Sequence, residues 1–281
     1  MAIIMDGVAL RNKILDALRT RVEKMPQKPK LVAVLVGDDA ASQIYVHNKE
    51  KYAAVAGITT EVVRMPADVD TATIIEKIQE LNADNSTTAI LIQLPLPAHI
   101  DTHAVLNAVD VSKDVDGFTD ANIGKMIGAG RDFVVPCTPR GILELLDEYK
   151  IDVAGKNAVI IGRSNIVGKP MAQMLLMRNA TVTICHSRTP NIAEYTCRAD
   201  IVIAATGKIT ITGDMIKPGA VFIDVGMRRD ENGKLRGDGD FDSINSVAGF
   251  MTKTPGGTGP MTIAGLMINT VELADKNNGG K

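Results

Sequence analysis

Residues 157–174, NAVIIGRSNIVGKPMAQM, constrain the fold more than any other stretch of the chain. Residues 158–161 form a short apolar run, the pattern of a strand buried on both faces. Gly162 closes it. From Val167 the apolar residues recur at helical spacing, at Val167, Met171, Met174 and Leu175. A strand, a glycine-bounded turn and a helix make the front half of a dinucleotide-binding unit. The helix start offers free backbone N–H groups and a positive dipole end, which suit a pyrophosphate. The turn reads Gly162-Arg-Ser-Asn-Ile-Val-Gly168, one residue longer than G-x-G-x-x-G and without its central glycine. On this stretch alone, a structural turn in a parallel sheet remains an open reading.

The next strand pattern, TVTIC over 181–185, narrows the choice. Its end is where an NAD site places an acid to accept from the ribose 2′-OH. Here the end reads Cys185-His186-Ser187-Arg188-Thr189, with no carboxylate. A hydroxyl and a guanidinium suit a 2′-phosphate instead, since Arg presents a fork of donors and a permanent charge. Arg163 in the first turn joins the same set. Alone, Arg188 reads as a solvated loop charge. Together, Arg163, Ser187 and Arg188 favour NADP over NAD.

At 281 residues the chain suits two domains. A net charge of −2 gives no electrostatic case for nucleic acid or an anionic membrane. No apolar run is long enough to span a bilayer, so no membrane partner is expected. The N-terminus lacks a basic n-region and a cleavage site, so no signal peptide is expected. Cys137, Cys185 and Cys197 form no C-x-x-C pair and leave one over, which fits a reduced cytoplasmic setting. His99 and His103 lack a third ligand nearby, so no metal site is expected.

The first half alternates strand and helix patterns, as in a parallel α/β layer. Asp6 caps a helix to about residue 25. Strands follow over 31–36, 60–65 and 89–94, with helices over 40–55 and 71–81. On the 40–55 helix, Ala41, Ser42, Tyr45, Lys49, Tyr52, Ala53 and Ala56 share one face, and Lys49 is its single charge. Partial desolvation there lowers a Lys pKa and suits it to proton exchange, with Tyr45 one turn away. The plainer reading is a Lys that snorkels to water. Gln93 breaks the apolar strand LIQLPLP at its carboxyl end, where open α/β sheets bind ligands. Lys113-Asp114-Val115-Asp116-Gly117-Phe118 reads as a turn, as a weak Mg²⁺ loop, or as a carboxylate that grips an amidine-like ring edge.

These pieces resemble the bifunctional methylenetetrahydrofolate dehydrogenase/cyclohydrolase family. The matching motifs are SQIYVHNK at 42–49, QLPLP at 93–97, KDVDGF at 113–118 and PCTPRG at 136–141. GRSNIVGKP at 162–170, CHSRT at 185–189, DVG at 224–226 and PGGTGPMT at 255–262 follow in the family's order. The resemblance implies an α/β chain of two domains with a cleft between them. One is a folate-binding catalytic domain over 1–138, completed by a C-terminal helix over 261–281. The other is a Rossmann-like NADP-binding domain over 139–260. It implies oxidation of 5,10-methylenetetrahydrofolate with NADP, then hydrolysis of the methenyl product to 10-formyltetrahydrofolate.

Residue by residue, the resemblance makes Lys49 the acid/base group of the hydrolysis, with Tyr45 and Gln93 positioning it. Asp116 holds the pterin edge. Ser42, Pro255, Gly256 and Gly257 add substrate contacts. Gly162, Arg163, Ser164, Ser187, Arg188 and Met227 contact NADP. A homodimer is implied. The chain departs from the family at Thr258, where Val is usual, at Met227, where Ile is usual, and at Gly239, where Val is usual and its absence is expected to loosen a loop. Two other functions fit fewer residues. A relative that keeps only the dehydrogenase and uses NAD does not need Arg163, Ser187 and Arg188. A non-catalytic NADP sensor does not need Tyr45, Lys49, Gln93 and Asp116.

Overall fold

A computed structural model describes residues 1–128 and 130–279 of the chain. The side chain of Ala41 and the last two residues of the expected C-terminal helix lie outside the described residues. In chain order the elements are β1 (Ile3–Met5), α1 (Gly7–Val22), β2 (Lys30–Val36), α2 (Ala40–Val55), β3 (Thr59–Met65), α3 (Thr71–Ala83), β4 (Ala89–Ile92), α4 (Thr102–Asn107), α5 (Asp120–Gly128) and α6 (Cys137–Glu148). They continue as β5 (Asn157–Ile161), α7 (Gly168–Met177), β6 (Thr181–Cys185), α8 (Ala193–Thr196), β7 (Ile201–Ala204), β8 (Val221–Asp224), β9 (Arg228–Arg229), β10 (Leu235–Arg236), α9 (Phe241–Asn245), β11 (Phe250–Thr252) and α10 (Thr258–Asn277). The chain divides into two compact units, one of residues 13–137 with 263–281, the other of 1–12 with 138–262.

The first of these is built on a parallel sheet in the order β3-β2-β4. Side chains alternate across β2. Val32, Val34 and Val36 pack with Ile74 and Ile78 of α3, while Leu31 and Ala33 pack with Leu15, Ala53 and Val271. Each fully buried Val, Leu or Ile contributes about 1.5–3 kcal/mol. Asp39 caps α2 by accepting from Ser42 N at 2.7 Å, and Asp70 caps α3 by accepting from Thr73 N at 2.7 Å. The strand expected over 89–94 ends at Ile92. Pro95 has no N–H to extend the ladder.

In the other unit an all-parallel sheet runs β1-β11-β8-β7-β5-β6. Its strands β5, β7 and β8 are buried along nearly their whole length, as the apolar runs 158–161, 201–204 and 221–223 require. No periodicity marks β1, which at three residues is too short to show one. It pairs with β11, and that pairing carries residues 1–12 into this unit. The register sets Ile161 level with Cys185 and with Ala204, and Ala204 level with Asp224. The segments that leave β5, β6, β7 and β8 therefore start from one line along the carboxyl edge.

Candidate active site

In the 13–137 unit, α2 and β4 bring Lys49 and Gln93 together. Lys49 Nζ donates to Gln93 Oε1 at 2.9 Å, and Gln93 Nε2 donates to the Leu94 carbonyl at 2.6 Å. Gln93 is buried and Lys49 partly so. The face of α2 differs from expectation. Its buried residues among those described are Ser42, Val46 and Ala53, followed by the buried C-cap Ala56, while Tyr45 is 41% exposed. Val46 takes the inward position because Tyr45 lies about 100° away around the helix.

The two carboxylates of D-V-D-G have separate roles. Asp114 is buried and accepts from Gly117 N at 2.9 Å, Phe118 N at 3.2 Å and Thr119 N at 2.9 Å. Those bonds shape the loop and use the carboxylate up. Asp116 accepts from the Cys137 thiol at 3.3 Å. Burial pushes the Asp116 carboxyl above its usual range, against the opposing pull of Lys49 and the Cys137 thiol. The same burial, with the Asp116 charge beside it, pushes the Cys137 thiol well up, so it stays a donor. Among the described residues, no group of three or more His, Cys, Asp or Glu is placed to hold a metal ion.

Sequence reasoning missed the supports of this loop. Asn269 of α10 donates from Nδ2 to the Val115 carbonyl at 2.9 Å and the Val135 carbonyl at 2.8 Å. Asn122 donates to the Gly117 and Val134 carbonyls and accepts from Val134 N. The available signal was a lone Asn in the apolar stretch LMINTV.

In the other unit, the residues expected at a dinucleotide lie on the carboxyl edge of the sheet. Gly162 has φ 128°, and a Cβ there would stand 2.6 Å from the Ala205 carbonyl oxygen, so only glycine fits. A Cβ on Gly168 would overlap the Gly162 carbonyl, which lets the start of α7 close on the turn. Ser164 Oγ accepts from Val167 N at 3.2 Å and Gly168 N at 3.4 Å. Arg163 follows β5 by two residues and Ser187 follows β6 by two, from the level pair Ile161 and Cys185. Both are exposed, as are Arg188 and Met227. Adjacent strands lie about 4.8 Å apart, so a guanidinium-bearing and a hydroxyl-bearing residue start from neighbouring strand ends, with no carboxylate at the β6 end. That donor set fits a phosphorylated ribose and therefore NADP.

Pro255, Gly256 and Gly257 also belong to this unit, not to the one that holds Lys49. Thr258 is buried, and its hydroxyl donates to the Asp224 carbonyl at 2.8 Å, a bond that a Val could not make. Gly239 was expected to loosen its loop. Instead a Cβ there would stand 2.8 Å from Phe222 Cζ, and Gly239 N donates to Asp224 Oδ2 at 3.0 Å. The Phe222 ring occupies the space that a side chain would fill.

A family model described as the tetrahydrofolate dehydrogenase/cyclohydrolase catalytic domain matches residues 5–116, and one described as the NAD(P)-binding domain of that family matches residues 136–278. The chain is similar to a bifunctional protein FolD of Streptococcus pneumoniae, 50% identical over 279 residues that cover 98% of each chain. It is similar to the crystal structure of a bifunctional methylenetetrahydrofolate dehydrogenase/cyclohydrolase from Campylobacter jejuni, with TM-score 0.96, 42% identity, and 98% of this chain and 99% of that one covered. It is also similar to the dehydrogenase-cyclohydrolase of Trypanosoma brucei solved with NADP cofactor and inhibitor, with TM-score 0.92, 34% identity and 98% of each chain covered.

Proposed function

The chain belongs to the tetrahydrofolate dehydrogenase/cyclohydrolase family, and from that premise we propose which of its residues carry two consecutive reactions. It oxidises 5,10-methylenetetrahydrofolate to the 5,10-methenyl cation with NADP, then hydrolyses that cation to 10-formyltetrahydrofolate. We assign folate binding to the 13–137 unit and NADP binding to the 138–262 unit.

NADP, when bound, supplies the hydride acceptor. The methylene carbon is a ready donor because the flanking nitrogens stabilise the cation left behind. The oxidation therefore needs no strong base, only positioning. Asp116 holds the pterin edge, and Ser42 and Pro255–Gly257 add contacts. Gly162, Arg163, Ser164, Ser187, Arg188 and Met227 hold the cofactor.

Hydrolysis places more demand on the side chains. A water adds to the methenyl carbon, one C–N bond opens, and a net proton leaves. Lys49 exchanges that proton, Gln93 aims its Nζ, and Tyr45 sits one turn away. The hydrogen bond between Lys49 and Gln93, beside the raised Asp116 carboxyl, is the observation that carries this reading.

We also propose a homodimer and a cytoplasmic setting. β6 is an edge strand with Ile184 38% exposed, and the adjoining α7 exposes Leu176 at 56% and Met177 at 40%. A second copy would cover that apolar edge. Free thiols at Cys137, Cys185 and Cys197 suit a reducing compartment. Among the described residues, no helix is long and apolar enough to cross a membrane.

The test is absorbance during turnover of 5,10-methylenetetrahydrofolate with NADP and then NAD, resolving reduced cofactor from the methenyl intermediate. Reduction with NADP and little accumulated methenyl compound is expected. Accumulation in the wild type would overturn the role of Lys49, and a preference for NAD would overturn that of Arg163 and Ser187.

A further inference from the structure

Asp238 is fully buried, on the segment that follows β10. Its Oδ2 accepts from Thr206 N at 2.7 Å, from Gly207 N at 3.0 Å and from Thr206 Oγ1 at 3.0 Å. Its Oδ1 is buried without a hydrogen-bond partner among the described residues. The Asp238 backbone N–H donates to Asp224 Oδ1 at 2.9 Å, which also accepts from Gly226 N at 3.0 Å. A Cβ on Gly226 would stand 2.6 Å from Asp238 Oδ2, so the two segments meet without spare room. The two carboxylates thus fasten the segments that leave β7 and β8 to residues 237–239.

The strand order gives this brace a direction. The turn after β5 suits the pyrophosphate, and the end of β6 suits the 2′-phosphate of the adenosine half. β7 lies on the opposite side of β5 from β6. A dinucleotide laid across the carboxyl edge therefore carries its nicotinamide half towards the segment that leaves β7, where Thr206 and Gly207 stand. A buried carboxylate with one oxygen unpaired is a costly way to secure a loop for stability alone. Three donors on its other oxygen make a charge-assisted clamp on two consecutive residues.

We propose that Asp238 is a positioning residue for the nicotinamide end of NADP, its Oδ2 holding the Thr206–Gly207 turn in the shape that receives it. The proposal rests on the NADP assignment above. It acts through Thr206 and Gly207 and needs no contact between Asp238 and the cofactor.

The test is calorimetric titration of the full chain with NADP and with 2′,5′-ADP, which keeps the 2′-phosphate and lacks the nicotinamide. In Asp238→Ala, NADP affinity is expected to fall about tenfold while 2′,5′-ADP affinity stays within about twofold. Asp238→Asn keeps one acceptor for the turn and is expected to recover at least half of the lost NADP affinity. Thr206→Val removes the hydroxyl that donates to Asp238 and accepts from Lys208 N at 3.2 Å, keeps both backbone donors to Asp238, and is expected to weaken NADP about threefold. Equal losses for both ligands in folded Asp238→Ala would overturn the proposal, as would wild-type NADP affinity. Should Asp238→Ala not fold, unchanged NADP affinity in Thr206→Val overturns it. A wild type that binds neither ligand overturns the NADP assignment, and this proposal with it.

Discussion

Lys49 Nζ donates to Gln93 Oε1, and the other end of the same amide is taken by the Leu94 carbonyl. A flipped amide would set an NH₂ against the ammonium and an oxygen against a carbonyl, so the two bonds together fix its direction. Gln93→Leu removes the acceptor and leaves Lys49 without its aim. Positioned proton transfer is worth about 10²–10⁴-fold, so cyclohydrolase turnover is expected to fall at least about 30-fold. Dehydrogenase turnover should fall much less. Stopped-flow absorbance would then show the methenyl compound accumulating where the wild type shows little.

Three backbone N–H groups hold Asp114, and for that reason we assign the ligand contact of D-V-D-G to Asp116. A hydrogen bond to a charged group is worth about 1.5–3 kcal/mol, or roughly 10- to 150-fold in affinity. Asp116→Asn is expected to raise KM for the folate by that range while NADP affinity stays unchanged. Asp114→Asn is expected to lower the melting temperature instead. Equal effects of the two substitutions on KM would remove the distinction.

Thr258 donates to the Asp224 carbonyl from a buried position. Thr258→Val keeps the shape and deletes the bond, leaving a buried carbonyl short of a donor. Loss of about 1 kcal/mol of stability is expected, read as a lower urea midpoint with an unchanged slope. Thr258→Ser, which retains the hydroxyl, should recover part of it. A Thr258→Val midpoint at or above the wild type would show that the hydroxyl contributes nothing.

The sequence made part of this site legible for a physical reason. Gln93 stands out because a polar residue interrupts an apolar strand, and Lys49 because it is the single charge on its arc. Arg163 and Ser187 stand out because an acid is missing where NAD needs one. Local pattern could not separate Asp114 from Asp116, since their roles depend on which backbone N–H groups each reaches. It also could not find Asn269 or Asp238. Their partners lie 134 and 154 residues away for Asn269, and 31 and 32 residues away for Asp238, in segments with no shared periodicity. β1 was missed because Ile3–Met5 shows its role only through its pairing with Phe250–Thr252.

Asp224 predicts a stability change with pH. Burial first, and then the neighbouring Asp238 charge, push its carboxyl up to about 6 from an ordinary 3.8, against the backbone donors that favour the anion. The folded state therefore binds this proton more tightly than the unfolded chain. The stabilisation is complete below the unfolded pKa and is lost as pH rises through the folded one. The span is about 2 units, or roughly 3 kcal/mol. Urea midpoints of the wild type are expected to fall between about pH 4 and about pH 7 relative to those of Asp224→Asn, which cannot ionise there. Parallel midpoint curves for the two proteins would show that Asp224 does not titrate in this window.

Arg163 and Ser187 leave neighbouring strands from a level register, and no carboxylate stands at the end of β6. A 2′-phosphate brings close to two negative charges to that place, whereas a 2′-hydroxyl brings none. With Arg163 assigned to the 2′-phosphate, Arg163→Ala removes a cation that NAD does not use, so NADP affinity should drop while NAD affinity holds. Ser187→Asp goes further, because it repels the phosphate and supplies the acceptor that a 2′-hydroxyl wants. A charge-assisted bond at an exposed site is worth about 1.5 kcal/mol, so Arg163→Ala is expected to weaken NADP about tenfold. The combination of Arg163→Ala with Ser187→Asp should reverse the preference to NAD. The loss for NADP in Arg163→Ala should also shrink as ionic strength rises, because the interaction is screened in water. Parallel titrations with NADP and NAD at low and high salt read all of these at once. Equal losses for both cofactors would place Arg163 at the pyrophosphate rather than at the 2′-phosphate.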